Sequence, residues 1–160
     1  YETLQNLKTL NIFRAFSFGG SYFNYENHFA FDYFVRNRIL NKDIILSSDG
    51  NSIRNFMHPL DLTNWILISI QFSNINLLNT GGNRNCSIKS LAYKIAETRF
   101  NNLPNVKVKT GNKRLKENYV PNLSVAKSLG LKSKLSLDMQ IQDSLHYYYD
   151  KKIKSSSFRP

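Results

Sequence analysis

IILSSDGNSIRNFMHPLDL, residues 44–62, is the stretch from which the fold is read. Ile44-Ile45-Leu46 is an apolar run with the length of a buried strand. Ser48-Asp49-Gly50-Asn51 is a turn cluster: Gly50 takes positive φ without strain, and Asp49 or Asn51 can hydrogen-bond its own backbone. Apolar and polar side chains then alternate through Ile53-Arg54-Asn55-Phe56-Met57, as in a strand. Pro59 suits the first turn of a helix, and Asp61 suits the partial positive charge of that helix's N-terminus. The pattern predicts a hairpin that delivers Arg54, followed at once by a helix. An arginine fixed on a strand favours a planar, bidentate grip on phosphate.

The chain has 160 residues, 41% hydrophobic and 13% aromatic, which is a globular and not a disordered composition. Its longest apolar run, near Trp65–Ile70, is far short of a membrane span. The lone Cys86 excludes an internal disulfide and a multi-cysteine metal site, and no metal is expected. It fits a reducing compartment, and a cytoplasmic location is expected. The net charge of +11 comes in clusters. One holds Lys107, Lys109, Lys113, Arg114 and Lys116; another is the tail with Lys151, Lys152, Lys154 and Arg159. With no aromatic-basic motif, this reads as solvated surface plus small anionic ligands, in preference to a nucleic acid.

Outward from the central stretch, Tyr1–Lys8 reads as the end of a helix and Leu10–Phe18 as a buried strand running into Gly19-Gly20. Those glycines either let backbone approach a ligand or simply end the strand. His28–Leu40 has a helical period, with Phe29, Phe31 and Phe34 assigned to the core and Arg36 and Arg38 to a solvated face. Pro59–Phe72 is a packed helix with a stripe of Leu62, Trp65, Ile66, Ser69 and Ile70. Ile75–Thr80 is a short strand ending at Gly81-Gly82, Ser87 an N-cap, and Leu91, Tyr93 and Ile95 the buried side of the next helix. Val106–Lys109 alternates as a strand, Asn122 and Ser136 are caps, and Gly130 is a left-handed helix stop. Leu137, Ile141, Leu145 and Tyr148 are the apolar positions of the last helix.

Several of these segments carry a resemblance. SSDGNSIRNFMHPLDLTNW resembles the glycine-turn, arginine and helix-start segment of extended short-chain dehydrogenases, the NAD-dependent epimerase/dehydratase family that modifies nucleotide sugars. LNIFRAFSFGG, HFAFDYFVRNRIL, INLLNTGGNRNCSIKSLAYKIAE and NYVPNLSVAKSLG resemble its successive later segments, in order. The resemblance covers residues 1–150 and implies an α/β fold: the C-terminal portion of a Rossmann-type enzyme. Residues 1–20 would end the Rossmann-like domain and 21–150 would be mostly substrate-binding domain. Segments around 56–80 would return to the Rossmann sheet, and 151–160 would be a flexible basic tail.

By resemblance, Arg54 contacts the substrate diphosphate, with Arg114 (or Lys113) as a second cation. Ser17 stands where the family has a substrate-touching Asn. His28 could hydrogen-bond the substrate, and Asn79 could lie on the pocket floor or serve only a turn. Phe18, Gly19 and Gly20 would lie near the nicotinamide of NAD or NADP. The family's GxxGxxG and YxxxK motifs are not in the sequence, so no catalytic residue is assigned; Tyr1 has Gln5, not Lys, at the fourth following position. A fragment is therefore expected, the substrate-binding half of a homodimeric epimerase or dehydratase that acts on a nucleotide sugar, with no nucleic acid or membrane partner. A non-catalytic relative of the same fold, or a basic nucleic-acid-binding module, would be the alternatives.

Overall fold

The computed structural model describes residues 10–22, 29–72, 77–98, 105–108 and 117–156. In chain order the elements are β1 (Phe13–Arg14), β2 (Ser17–Phe18), α1 (Ala30–Ile39), β3 (Ile44–Leu46), β4 (Ile53–Met57) and α2 (Pro59–Ser69). They continue with β5 (Leu78–Asn79), β6 (Asn85–Ser87), α3 (Ile88–Glu97), β7 (Val106–Val108), α4 (Ser124–Ser128) and α5 (Leu137–Ser156). The strands form three small groups, β1 with β5, β2-β4-β6, and β3 with β7. Only β4 and β6 are antiparallel; the other three pairs are parallel. Parallel neighbours need long crossovers, and the one from β2 to β4 carries α1 and β3. This is the mixed α/β class expected.

β4 is the hinge of the architecture. Alternate residues of a strand point to opposite faces. Phe56 packs into a core with Phe31, Phe34, Val35, Ile44, Leu46, Leu91, Ile95, Ile141, Leu145 and Tyr148. Its neighbour Met57 packs on the other side, with Trp65, Leu78, Ala126 and Leu131. The same alternation places Arg54 with Phe56 and Asn55 with Met57, and so decides what each polar side chain can reach.

The expected hairpin does not form. β3 pairs in parallel with β7, in the register Ile44↔Val106 to Leu46↔Val108. β4 instead lies between β2 and β6. The turn itself is as the sequence indicates: Gly50 has φ of 71°, and the Asn51 amide donates to Asp49 Oδ1 at 3.0 Å. It redirects the chain because Ile44 and Leu46 are fully used as core against α1 and α3, while an ion pair from Asp43 to Lys107 fastens the start of β3 to β7.

Other expectations are corrected in detail. Leu10–Phe18 is broken into two short strands, and Leu10 and Ile12 are exposed. Phe29, expected in the core, is 71% exposed, whereas Phe31 and Phe34 are buried as expected. Arg38 is not solvated but wholly buried, and its Nη2 donates to the Thr98 carbonyl at 3.2 Å. That carbonyl belongs to the C-cap of α3, where the helix dipole favours a cation. On α2 the buried residues are Asp61, Trp65 and Ser69; Ile66 and Ile70 of the expected stripe are exposed. Tyr93 is exposed too. Ser87 caps α3 by accepting from the Ser90 amide at 3.0 Å, and Gly130 has φ of 73°, both as read. α5 runs on to Ser156, into the segment expected to be a flexible tail.

Candidate functional site

β2 and β4 are parallel neighbours, Ser17 opposite Phe56 and Phe18 opposite Met57. Together with the first turn of α1 they enclose a cavity of about 450 Å³. Arg54, Ser17, Phe18 and Asp32 line it, with aromatic walls from Phe16, Phe29, Phe31, Phe56 and Tyr119. The size and the balance of apolar wall with a few polar groups are those of small-molecule sites.

Arg54 is half-buried and held in place. Its Nη1 donates to the Ile53 carbonyl at 3.0 Å and to the Glu117 carbonyl. The guanidinium carbon sits 6.0 Å from the centroid of the Tyr119 ring. Tyr119 in turn bridges to Arg54 through backbone, its amide donating to the Ile53 carbonyl at 3.0 Å, and its ring lies 4.6 Å from that of Phe16. Both hydrogen bonds run from one terminal nitrogen. Nε and Nη2 are therefore the donors left to face an anion in a fixed orientation.

Asp32 is the other charged group in the cavity wall, and it is only 5% exposed. Burial alone pushes its carboxyl up to about 6. Among the described residues no hydrogen bond or ion pair to Asp32 is found, and α1 has no side-chain N-cap at Phe29. No sequence signal marked Asp32: at third position in a helix it reads as an ordinary N-terminal acid.

The glycine pair adjoins the cavity but is filled from within. A Cβ on Gly19 would lie 2.4 Å from the Phe31 ring, and one on Gly20 would lie 2.4 Å from the His58 ring. Their lack of side chains serves internal packing, and they form no open cradle for a cofactor. Around them, Asp143 Oδ2 accepts from the Ser21 amide and from His58 Nε2, each at 2.9 Å. His58 Nδ1 accepts from the Leu60 amide at 3.1 Å as the N-cap of α2, which leaves the ring proton on Nε2. Burial raises the Asp143 carboxyl, but the bonds from Ser21 and His58 outweigh it and the net direction is down.

Of the remaining expected site residues, only Asn79 is among those described. Asn79 does not line the Arg54 cavity; its amide donates to the Asn122 carbonyl at 3.1 Å. His28, Arg114 and Lys113 lie outside the described residues. Phe16, Phe29, Asp32 and Tyr119 are cavity residues that the sequence reading missed as such. Tyr119 sits in NYVPN, one of the segments that carry the family resemblance, and that was the available signal.

A larger cavity of about 580 Å³ lies on the opposite face of β4, lined by Asn55, Gly81, Gly82 and the exposed Lys127 and Lys132. Asn55 organises its wall. The side-chain amide donates to the Gly82 and Arg84 carbonyls and to Asn85 Oδ1, at 3.1, 3.2 and 2.8 Å, and Oδ1 accepts from the Gly82 amide at 2.6 Å. Its cations are flexible surface lysines, in contrast to the anchored guanidinium of the smaller cavity. The smaller cavity is therefore the better anion site.

The sequence matches no protein-family model, and no curated protein matches it. Solved structures do match. The chain is similar to a UDP-glucose 4-epimerase of Thermotoga maritima solved with UDP-glucose, with a TM-score of 0.76 and 17% identity over 88% of this chain and 46% of that one. It is similar to a UDP-glucuronic acid 4-epimerase of Bacillus cereus in complex with NAD, with a TM-score of 0.72 and 16% identity, covering 90% of this chain and 44% of that one. A dTDP-glucose 4,6-dehydratase of Bacillus anthracis in complex with NAD gives a TM-score of 0.70 at 18% identity, covering 96% of this chain and 48% of that one. The chain thus spans about half the length of the structures it matches.

Proposed function

We propose, from a fold that is the C-terminal portion of an extended short-chain dehydrogenase, that this chain is the substrate-binding half of an NAD(P)-dependent nucleotide-sugar epimerase or dehydratase. In this reading the Arg54 cavity receives the nucleotide diphosphate. The observation that carries it is the Arg54 guanidinium, fixed by two carbonyls at the wall of an aromatic cavity. A diphosphate brings charge that needs fixed donors, and each charge-assisted hydrogen bond contributes roughly 1.5–3 kcal/mol. The aromatic rings suit the base by stacking, and Ser17 offers a hydroxyl to the sugar or phosphate.

A nicotinamide cofactor would supply hydride exchange at a sugar carbon. Phe18 is the residue of this chain that we place nearest to it, followed by Gly19 and Gly20 on the same strand end. The residues present do not make a cofactor cradle, since the glycine faces are occupied, and no catalytic step is assigned to them. What this chain does is bind and orient the substrate. Alone, it is expected to bind a nucleotide sugar and not to turn it over.

Calorimetric titration with UDP-glucose tests the reading. Arg54→Ala is expected to weaken binding about tenfold or more, since at least one such hydrogen bond is lost. Equal affinity of the two proteins would contradict it.

A further inference from the structure

We propose that Tyr119 is a positioning residue for Arg54: its ring, carried on a segment bridged to β4, holds the guanidinium in the orientation that takes a diphosphate. This rests on the reading above, in which Arg54 is the anion-binding group of the cavity.

The place of Tyr119 follows from how the two edges of β4 are shared. On one edge Arg54 pairs with Cys86 of β6. On the other, β2 covers only Phe56 and Met57. The stretch of that second edge beside Ile53 and Arg54 is taken up by residues 117–119, through a parallel bridge between Arg54 and Tyr119. Two hydrogen bonds fasten this segment. The Tyr119 amide donates to the Ile53 carbonyl at 3.0 Å, and the Ile53 amide donates to Asn118 Oδ1 at 3.2 Å. The same docking brings the Glu117 carbonyl to Arg54 Nη1. One of the two carbonyls that hold the guanidinium is therefore supplied by this segment, and the other, that of Ile53, also accepts from it.

The ring completes the hold. Its centroid lies 6.0 Å from the guanidinium carbon, within cation–π range, and 4.6 Å from the ring of Phe16, the residue just before β2. The ring thus links Arg54 to the strand that carries Ser17. A long side chain loses rotamer freedom when it grips an anion, and one already fixed before the anion arrives loses less. Tyr119 is 46% exposed, and no hydrogen bond to its hydroxyl is found among the described residues. The face of the ring, and not the phenol group, is what acts on Arg54.

Calorimetric titration of the purified chain with UDP-glucose, and with inorganic pyrophosphate by displacement of UDP-glucose, tests this. Tyr119→Ala is expected to weaken both ligands by the same factor, about fivefold. Tyr119→Leu keeps an apolar contact for Phe16 but has no π face, so it should weaken both as well and carries the test if the alanine variant does not fold. Tyr119→Phe keeps the ring and is expected to restore both affinities. In the Arg54→Ala background, Tyr119→Ala should cost nothing further, because it acts only through that side chain. A loss confined to UDP-glucose, and persisting without Arg54, would mean that the ring stacks on the base; it would overturn the inference and leave the diphosphate site standing. Full affinity for both ligands in Tyr119→Leu, or a loss in Tyr119→Phe equal to that in Tyr119→Leu, would overturn it in the same way. An Arg54→Ala variant with unchanged affinity, or pyrophosphate that does not displace UDP-glucose, would overturn the diphosphate site and this inference with it.

Discussion

Asn55 has more structural work to do than any polar residue the sequence brought forward. It stands one position from Arg54 and points to the other face of β4. The two N–H of its Nδ2, shared among three acceptors, and one bond accepted by Oδ1 hold the glycine turn at 81–85 against the strand. The turn cannot move away or fill in: a Cβ on Gly82 would lie 1.8 Å from the Phe56 carbonyl oxygen. Asn55→Ala is expected to cost about 3 kcal/mol in urea unfolding, because several buried groups lose partners at once. A loss under about 0.5 kcal/mol would mean that the network is dispensable. At this scale the place of Arg54 on a strand was legible, because apolar and polar side chains alternate around it. The burial of Asp32, Arg38 and Asn55 was not, since polar residues in a helix or strand give no sign of whether they face water. Arg38 is buried only because Thr98, 60 residues on, offers a helix-end carbonyl.

The elements were legible where the signal is local. Pro59 does open α2, and Ser87 and Ser136 do cap the helices that follow them. Asp61 lies in the first turn as expected, yet its carboxylate also accepts from the Lys134 and Leu135 amides, each at 3.0 Å. Strand partners were not legible. β3 and β4 are close in sequence with a good turn between them, but β3 finds its partner in β7, far along the chain. Parallel pairing leaves no short-range mark.

The joint between β2, α2 and α5 likewise depends on a distant residue, Asp143. Hydrogen bonds from Ser21 and His58 hold its carboxyl below the ordinary 3.8 against the effect of burial. A lowered carboxyl contributes stability that is present above the unfolded value and is lost as pH falls through the folded one. Asp143→Asn should therefore melt below the unsubstituted protein at neutral pH. The gap should close as the medium is acidified past the ordinary carboxyl value. A gap that is constant down to strong acid would show that charge at this position is irrelevant.

At the scale of the molecule, the α/β class is the one that the resemblance implied, whereas which strands pair, and in which direction, could not be read in advance. Less visible was how much apolar surface stays uncovered. Leu60, Ile66, Leu67, Ile68 and Ile70 of α2 are between 40% and 73% exposed, and Leu10, Ile12 and Leu77 by 43% to 49%. Apolar periodicity says that a face is buried in something, not that the something lies within these 160 residues. No helix among the described residues is long and apolar enough to cross a membrane. The two cavities lie on opposite faces of β4, one lined by an anchored guanidinium and the other by surface lysines.

Mapping amide and arginine side-chain NMR shifts during titration with UDP-glucose separates these faces most directly. The account predicts that the largest changes fall on the Arg54 Nε–H and on the backbone amides of Ser17, Phe18 and Tyr119. Shifts confined to Gly81, Gly82, Lys127 and Lys132, with Arg54 unmoved, would contradict it.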